Sequence, residues 1–281
     1  MMIRLRRDGF TLIEMLLVVT IVLILTVIVL PLTLRMQDRD RVPTGAILLQ
    51  GSCSQARGRA ALEKRPVGIR LIPSTANPNV CDQIEFIHEP EPFQAGFVEV
   101  APNTNVVTNL RANFTGVLPG DLIEFHGGGQ LYLITNVSGR QLTLDRPVPA
   151  PPGAQYAVAP PFDPPGLPNY RIFRQPRPIA GEKPMKLPAD VVIDPAKSYP
   201  PNLQTLGKPP SILFKPSGGV TGSAAVEDMI CLWLQDTTQG NDDNVALVVI
   251  YTRTGAVTNV PVNQGGDPFL HARTGRGSGS M

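Results

Sequence analysis

The chain has 281 residues, 42% of them apolar, enough to bury a core in one or two soluble units. Its net charge of +2 argues against a broad nucleic-acid-binding surface and leaves room only for a local basic patch. The 30 prolines are roughly twice ordinary usage, which excludes long helices from most of the chain and points to strands joined by ordered loops.

The exception is the N-terminus. Residues 1–9, MMIRLRRDG, are a short leader with Arg4, Arg6 and Arg7, followed by FTLIEMLLVVTIVLILTVIVLPLTL, in which Glu14 is the only charge. The 20 uncharged residues from Met15 to Leu34 reach about 30 Å as a helix, the thickness of a hydrocarbon core, so residues 10–34 read as a transmembrane helix. A carboxylate in such a run costs roughly 2.5–3.5 kcal/mol on insertion scales, so Glu14 calls for a partner. A cleaved secretory signal would have a shorter apolar run and a small-x-small site after it. Here the run ends in Pro31, Leu32, Thr33, Leu34 and Arg35.

These residues resemble the type IV prepilin signature: a short basic leader ending in glycine, then G-F-T-L-I-E, then about twenty apolar residues. The resemblance implies that a membrane prepilin peptidase cuts after Gly9 and methylates the new N-terminal Phe10. It also implies that Glu14 pairs with the terminal amine of a neighbouring subunit and that Pro31 is the family's helix-loosening proline. The chemistry is coherent. Glycine offers no side chain to obstruct a protease, cleavage leaves an ammonium at Phe10, and Glu14 lies four residues on, on the same helix face.

Beyond the span, residues 35–90 read as an amphipathic helix and the first strands of a head. Pro43 and Gly45 interrupt or bend the helix. Val42, Ala46, Leu49, Cys53, Ala56 and Ala60 recur every three or four residues, one apolar stripe that runs to about Lys64. Val67–Ile72, Ile84–His88 and Phe97–Val100 are strand runs. Residues 91–168 form an inserted β-rich module: LPGDLIEF, LYLITNV and QLTL make a small β-meander or barrel, and Pro147 to Pro168 is a stiff connector. Residues 169–263 return to head strands at Tyr170–Phe173, Val191–Ile193, Ile212–Phe214, Met229–Leu234, Val245–Tyr251 and Ala256–Val260. Residues 264–281 read as a flexible Gly-rich tail.

The expected fold is therefore α+β, a long N-terminal transmembrane and amphipathic helix packed on an antiparallel sheet, with an inserted β module. SQARGRAALEKRPVGIRLI, KLPADVVI, ILFKPSGGVTG and VALVVIYTRTGAV are similar to the minor pseudopilin H and FimT-type branch of the pilins. That resemblance implies a minor pilin or pseudopilin, a structural subunit of a type II secretion pseudopilus or a type IV pilus. It would be assembled through its N-terminal helix with other pilins and an inner-membrane assembly platform. Its place would be the bacterial inner membrane, single pass, with the head in the periplasm, and then the filament.

No catalytic set emerges, so the expectation is a non-enzyme without a cofactor. Calcium is a weak candidate at Asp236, Asp242 and Asp243, because major pseudopilins hold calcium in a C-terminal loop, but the spacing is not an EF-hand and turn chemistry explains the cluster. FimT-type pilins are implicated in DNA uptake through a basic C-terminal segment, which here maps to Arg273 and Arg276. So few charges give weak, salt-sensitive phosphate contacts. The alternative function is therefore DNA uptake or adhesion through this tail or the inserted module. Of three cysteines, Cys81 and Cys231 are the candidate disulfide, against the equal alternative of three buried thiols.

Overall fold

The computed structural model describes residues 12–150, 152–160, 169–207, 209–238, 244–263 and 265–275, and of residues 28–39, 204, 205 and 223 the backbone alone. Helix α1 (Leu12–Arg39) is separated from α2 (Arg41–Glu63) by Asp40 alone. The interruption expected at Pro43 and Gly45 does not occur. Pro43 lies in the first turn of α2, where a helix has no use for its missing N–H. All six residues of the predicted stripe, from Val42 to Ala60, are fully buried. The helix closes at Lys64, which is left-handed at φ 54°, with Pro66 following.

The head is one antiparallel sheet. Its strands are β1 (Val67–Pro73), β2 (Cys81–His88), β9 (Arg177–Pro178), β10 (Met185–Lys186), β11 (Val191–Ile193), β12 (Ser211–Phe214), β13 (Val220–Thr221), β14 (Met229–Asp236), β15 (Val245–Tyr251) and β16 (Ala256–Val260). They run in the order β13-β12-β1-β2-β11-β14-β15-β16, with β9 and β10 also paired along β2. Helix α2 touches β1, β11, β12, β14, β15 and β16. The Val220 N–H donates to the Thr252 carbonyl at 2.7 Å, joining β13 at one edge to the end of β15 near the other. The sheet thus curls around the helix. Gly255 (φ 63°) permits the contact, because a side chain there would collide with the Gly218 carbonyl.

Alternation explains the long apolar runs. In β14, Ile230, Leu232 and Leu234 point to the core shared with α2, while Met229, Cys231 and Trp233 point to a second cluster on the opposite face with Leu247, Val249 and Ala272. Strands buried on both faces read as continuous rather than alternating hydrophobics. The outer cluster is covered by α3 (Leu270–Thr274), so residues 265–275 of the expected flexible tail are docked instead. Phe269 and Ala272 supply the apolar contact, and the Tyr251 hydroxyl donates to the Ala272 carbonyl at 2.9 Å.

The inserted sheet comprises β3 (Val98–Val100), β4 (Val106–Asn109), β5 (Leu122–Phe125), β6 (Leu131–Ser138), β7 (Gln141–Leu144) and β8 (Tyr170–Phe173), in the order β3-β4-β7-β6-β5-β8. The predicted meander is β5-β6-β7. Tyr170–Phe173, expected in the head, instead closes this sheet: its pattern marks a strand, but nothing local says which sheet takes it. The module's core, with Val100, Ile123, Ile134, Leu142 and Ile172, shares no residue with the two head clusters.

Its entry and exit are stapled together. Phe93 and Ile172 exchange two backbone hydrogen bonds at 2.9 and 3.0 Å, and past the exit Arg177 pairs with His88, the last residue of β2. Asp121, fully buried, locks this neck. Its Oδ1 accepts from the Gln175 N–H (2.8 Å), and its Oδ2 accepts from the Leu118 N–H (2.9 Å) and Arg177 Nη2 (3.0 Å). Asp121→Ala leaves two amides and a half-buried guanidinium without their acceptor and is expected to cost the module about 3 kcal/mol or more. Hydrogen exchange checks this: protection should fall in β3 to β8 while that of α2 stays unchanged.

Candidate functional site

The candidate site is built on α1. From Leu12 to Val27 every side chain is exposed, and the apolar ones show 48% to 85% of their surface. Over residues 12–27 the helix has no polar face to give to water, and among the described residues nothing covers it. The two hydroxyls in this stretch are satisfied within the helix: Thr20 donates to the Leu16 carbonyl at 2.8 Å and Thr26 to the Val22 carbonyl at 2.7 Å. That is how a helix hides hydroxyls from an apolar surrounding.

Glu14 occupies the first turn of α1, where the helix dipole favours an acid. Pro31 is inside α1, and its lack of an N–H leaves the Val27 carbonyl without its helical donor. Gly9 and Phe10 lie outside the described residues. Among the described residues, no helix is long and apolar enough to cross a membrane. The stretch of α1 whose side chains are described, residues 12–27, accounts for about 24 Å at 1.5 Å per residue.

Residues 4–30 match the family model described as the prokaryotic N-terminal methylation motif. The chain carries a type IV pilin-like prepilin signal. The motif covers the leader from Arg4 on, Gly9, Phe10, Glu14 and most of the apolar run, and it stops before α2. No curated protein and no solved structure matches the chain.

Behind the motif, α1 is coupled to the head through the start of α2. The Thr44 N–H and hydroxyl both donate to the Asp40 carbonyl, at 3.1 and 2.7 Å. Arg41 Nη1 lies 2.9 Å from Asp190 Oδ2, and a Cβ on Gly45 would stand 3.0 Å from Val191. The Arg41–Asp190 pair has no signature in the sequence. The partners are 149 residues apart, so no local signal could have shown it.

The remaining predicted residues separate. Cys81 and Cys231 form no disulfide. Cys81 faces the α2 core and Cys231 the opposite cluster, so the sheet itself stands between them. Burial pushes the thiols up, Cys53 and Cys231 to about 12 and Cys81, helped by the Asp82 charge beside it, to about 11. Asp236 ends β14, while Asp242 and Asp243 lie outside the described residues, as does Arg276. Arg273 is committed within the head: its Nη1 is 2.9 Å from Asp267 Oδ2, and its guanidinium carbon is 5.9 Å from the centre of the Tyr199 ring.

The docking of α3 predicts thiol reactivity. Ala272→Asp places a charge against Trp233 and Cys231 and should lift α3. Maleimide labelling of Cys231 at pH 8, mapped by mass spectrometry, is expected to accelerate roughly tenfold or more, equivalent to about 1.4 kcal/mol of opening. Cys53 and Cys81 should label no faster.

Proposed function

We propose that the chain is a minor pilin or pseudopilin. A prepilin peptidase cuts after Gly9 and methylates Phe10. The apolar helix anchors the subunit in the bacterial inner membrane with the head on the periplasmic side. An assembly platform then draws it into a filament of similar subunits, a type II secretion pseudopilus or a type IV pilus. The role is mechanical, with no catalytic step and no cofactor. The observation that carries this is the methylation motif at residues 4–30, joined to a helix whose apolar side chains from Leu12 to Val27 are all exposed. The span from Met15 to Leu34 supports the anchor, and similarity to the pseudopilin H and FimT-type branch supports a minor rather than a major subunit.

The engagement of Arg273 with Asp267 and Tyr199 favours the filament role over DNA capture by the tail. The inserted module, with its own core and both ends stapled at one neck, is the part free to differ between systems, and it is where we place specificity.

Mass spectrometry of the mature protein from cells with an active prepilin peptidase should give Phe10, N-methylated, as the first residue. An intact leader would sink the proposal. Glu14→Ala should keep the protein in the membrane fraction, since removing a carboxylate eases insertion. A desolvated ammonium–carboxylate contact contributes about 1.5–3 kcal/mol, so recovery in sheared filaments should fall roughly tenfold or more. Unchanged recovery would show that the acid has no part in assembly.

A further inference from the structure

A cleft of about 670 Å³ opens beside β11, at the end of the head where α2 begins. Asp82, the second residue of β2, lines it from one side, and Asp236, the last of β14, from the other. The register places them there, with Cys81 opposite Ile193 and Val191 opposite Asp236. Asp236 is only 5% exposed. Its Oδ1 accepts from the Thr238 N–H (2.8 Å) and the Thr238 hydroxyl (2.6 Å), but its Oδ2 is buried without a hydrogen-bond partner. Asp82 Oδ1 is buried and unpartnered in the same way. Two orphan carboxylate oxygens on one cleft are a standing cost to the fold, of the kind retained where a ligand meets them.

The chemistry of the occupant follows from these atoms. Both are acceptors with negative charge, so the ligand donates and is positive. Hard divalent ions gather six or more oxygens, and among the described residues no group of three or more His, Cys, Asp or Glu could hold a metal ion. At about 670 Å³ the cleft has room for a side chain together with the peptide that presents it, far more than a lone ion fills. Its rim already holds one guanidinium, since the Asp190 carboxylate that accepts Arg41 also lines it. Lys186 and Lys197 stand exposed at the same rim. They oppose a compact point charge more than a delocalised, weakly hydrated guanidinium whose donors are fixed in a plane.

We propose that the cleft receives an arginine side chain presented by a partner protein, its guanidinium donating to Asp82 and Asp236. Terminal carboxylate torsions are soft, so a partial turn brings the Asp82 oxygen to the cleft, and Asp236 does the same by exchanging its Thr238 bonds for bonds to the guanidinium. All the residues that line the cleft come from one chain, so the site can be tested on the unassembled protein.

The full chain in detergent micelles is titrated with N-acetyl-arginine amide, followed by calorimetry and by thermal midpoint. Parallel titrations use the neutral isostere N-acetyl-citrulline amide, putrescine and calcium chloride. Saturable binding of the arginine derivative is expected, at least tenfold tighter than that of the citrulline derivative, and at least tenfold weaker in Asp236→Asn and in Asp82→Asn. The Asn variants should unfold at the same temperature as the parent or higher, because Asn keeps an Oδ1 for Thr238 while the unpaired charge is gone. Should Asp236→Asn fail to fold, Asp82→Asn carries the test. Equal binding of citrulline, or no saturable arginine binding, overturns the proposal. So does a calcium or putrescine response that exceeds the arginine response. A lowered midpoint in both variants with arginine binding unchanged marks the carboxylates as structural, and this too overturns it.

Discussion

The structure depends on how closely one helix face can approach a sheet. The buried stripe of α2 is Val42, Ala46, Leu49, Cys53, Ala56 and Ala60, with Gly45 beside it. Four of these seven are alanine or glycine. A helix with so little bulk on its inner face lets the sheet wrap closely around it, and packing at interior density then forces the curvature. That curvature brings β13 within hydrogen-bonding distance of Thr252 and sets the glycines at 218 and 255 against each other. The helix also protects an edge of the sheet, since Gln50 Nε2 donates to the Val257 carbonyl of β16 at 3.2 Å.

The inserted module obeys a different constraint. A domain can be placed inside another only if its two ends lie together, and here the Phe93–Ile172 pair and the Asp121 cluster bring them together. The chain leaves the head at the end of β2 and re-enters it one strand over, as β9, paired with those same residues of β2. The head's strand pairing therefore continues across roughly ninety intervening residues as though they were a short connection. Two cores with no shared residues follow from that arrangement.

What could be read from the sequence divides along the same line as local and non-local physics. The α2 stripe carries its own period and the longer strands their own apolar runs, and they stand where those signals put them. The methylation motif is local as well, a run of adjacent residues whose meaning does not depend on the fold. Strands of two residues, β9, β10 and β13, have no period to show. Tyr170–Phe173 announces a strand without announcing its sheet. Cys81 and Cys231 look pairable until the sheet puts them on opposite faces. The tail reads as Gly-rich and loose, but Phe269 and Ala272 find an apolar face that only the alternation of β14 and β15 creates. The cleft at Asp82 and Asp236 joins residues 154 positions apart in the sequence, which no spacing argument could bring together.

The single residue between α1 and α2 also has a mechanical meaning. Helices of 28 and 23 residues, about 42 and 35 Å long, meet at Asp40 with no slack loop, so axial tension on α1 passes directly into α2. There it is resisted by a helix enclosed on its inner face by six strands, where sliding would shear many packed side chains at once instead of peeling them away one by one. The inserted module hangs from a neck beside β2 and lies off this load path. An axial load on α1 would thus fall on α2 and its strands and not on the module, whose surface can change without weakening that path.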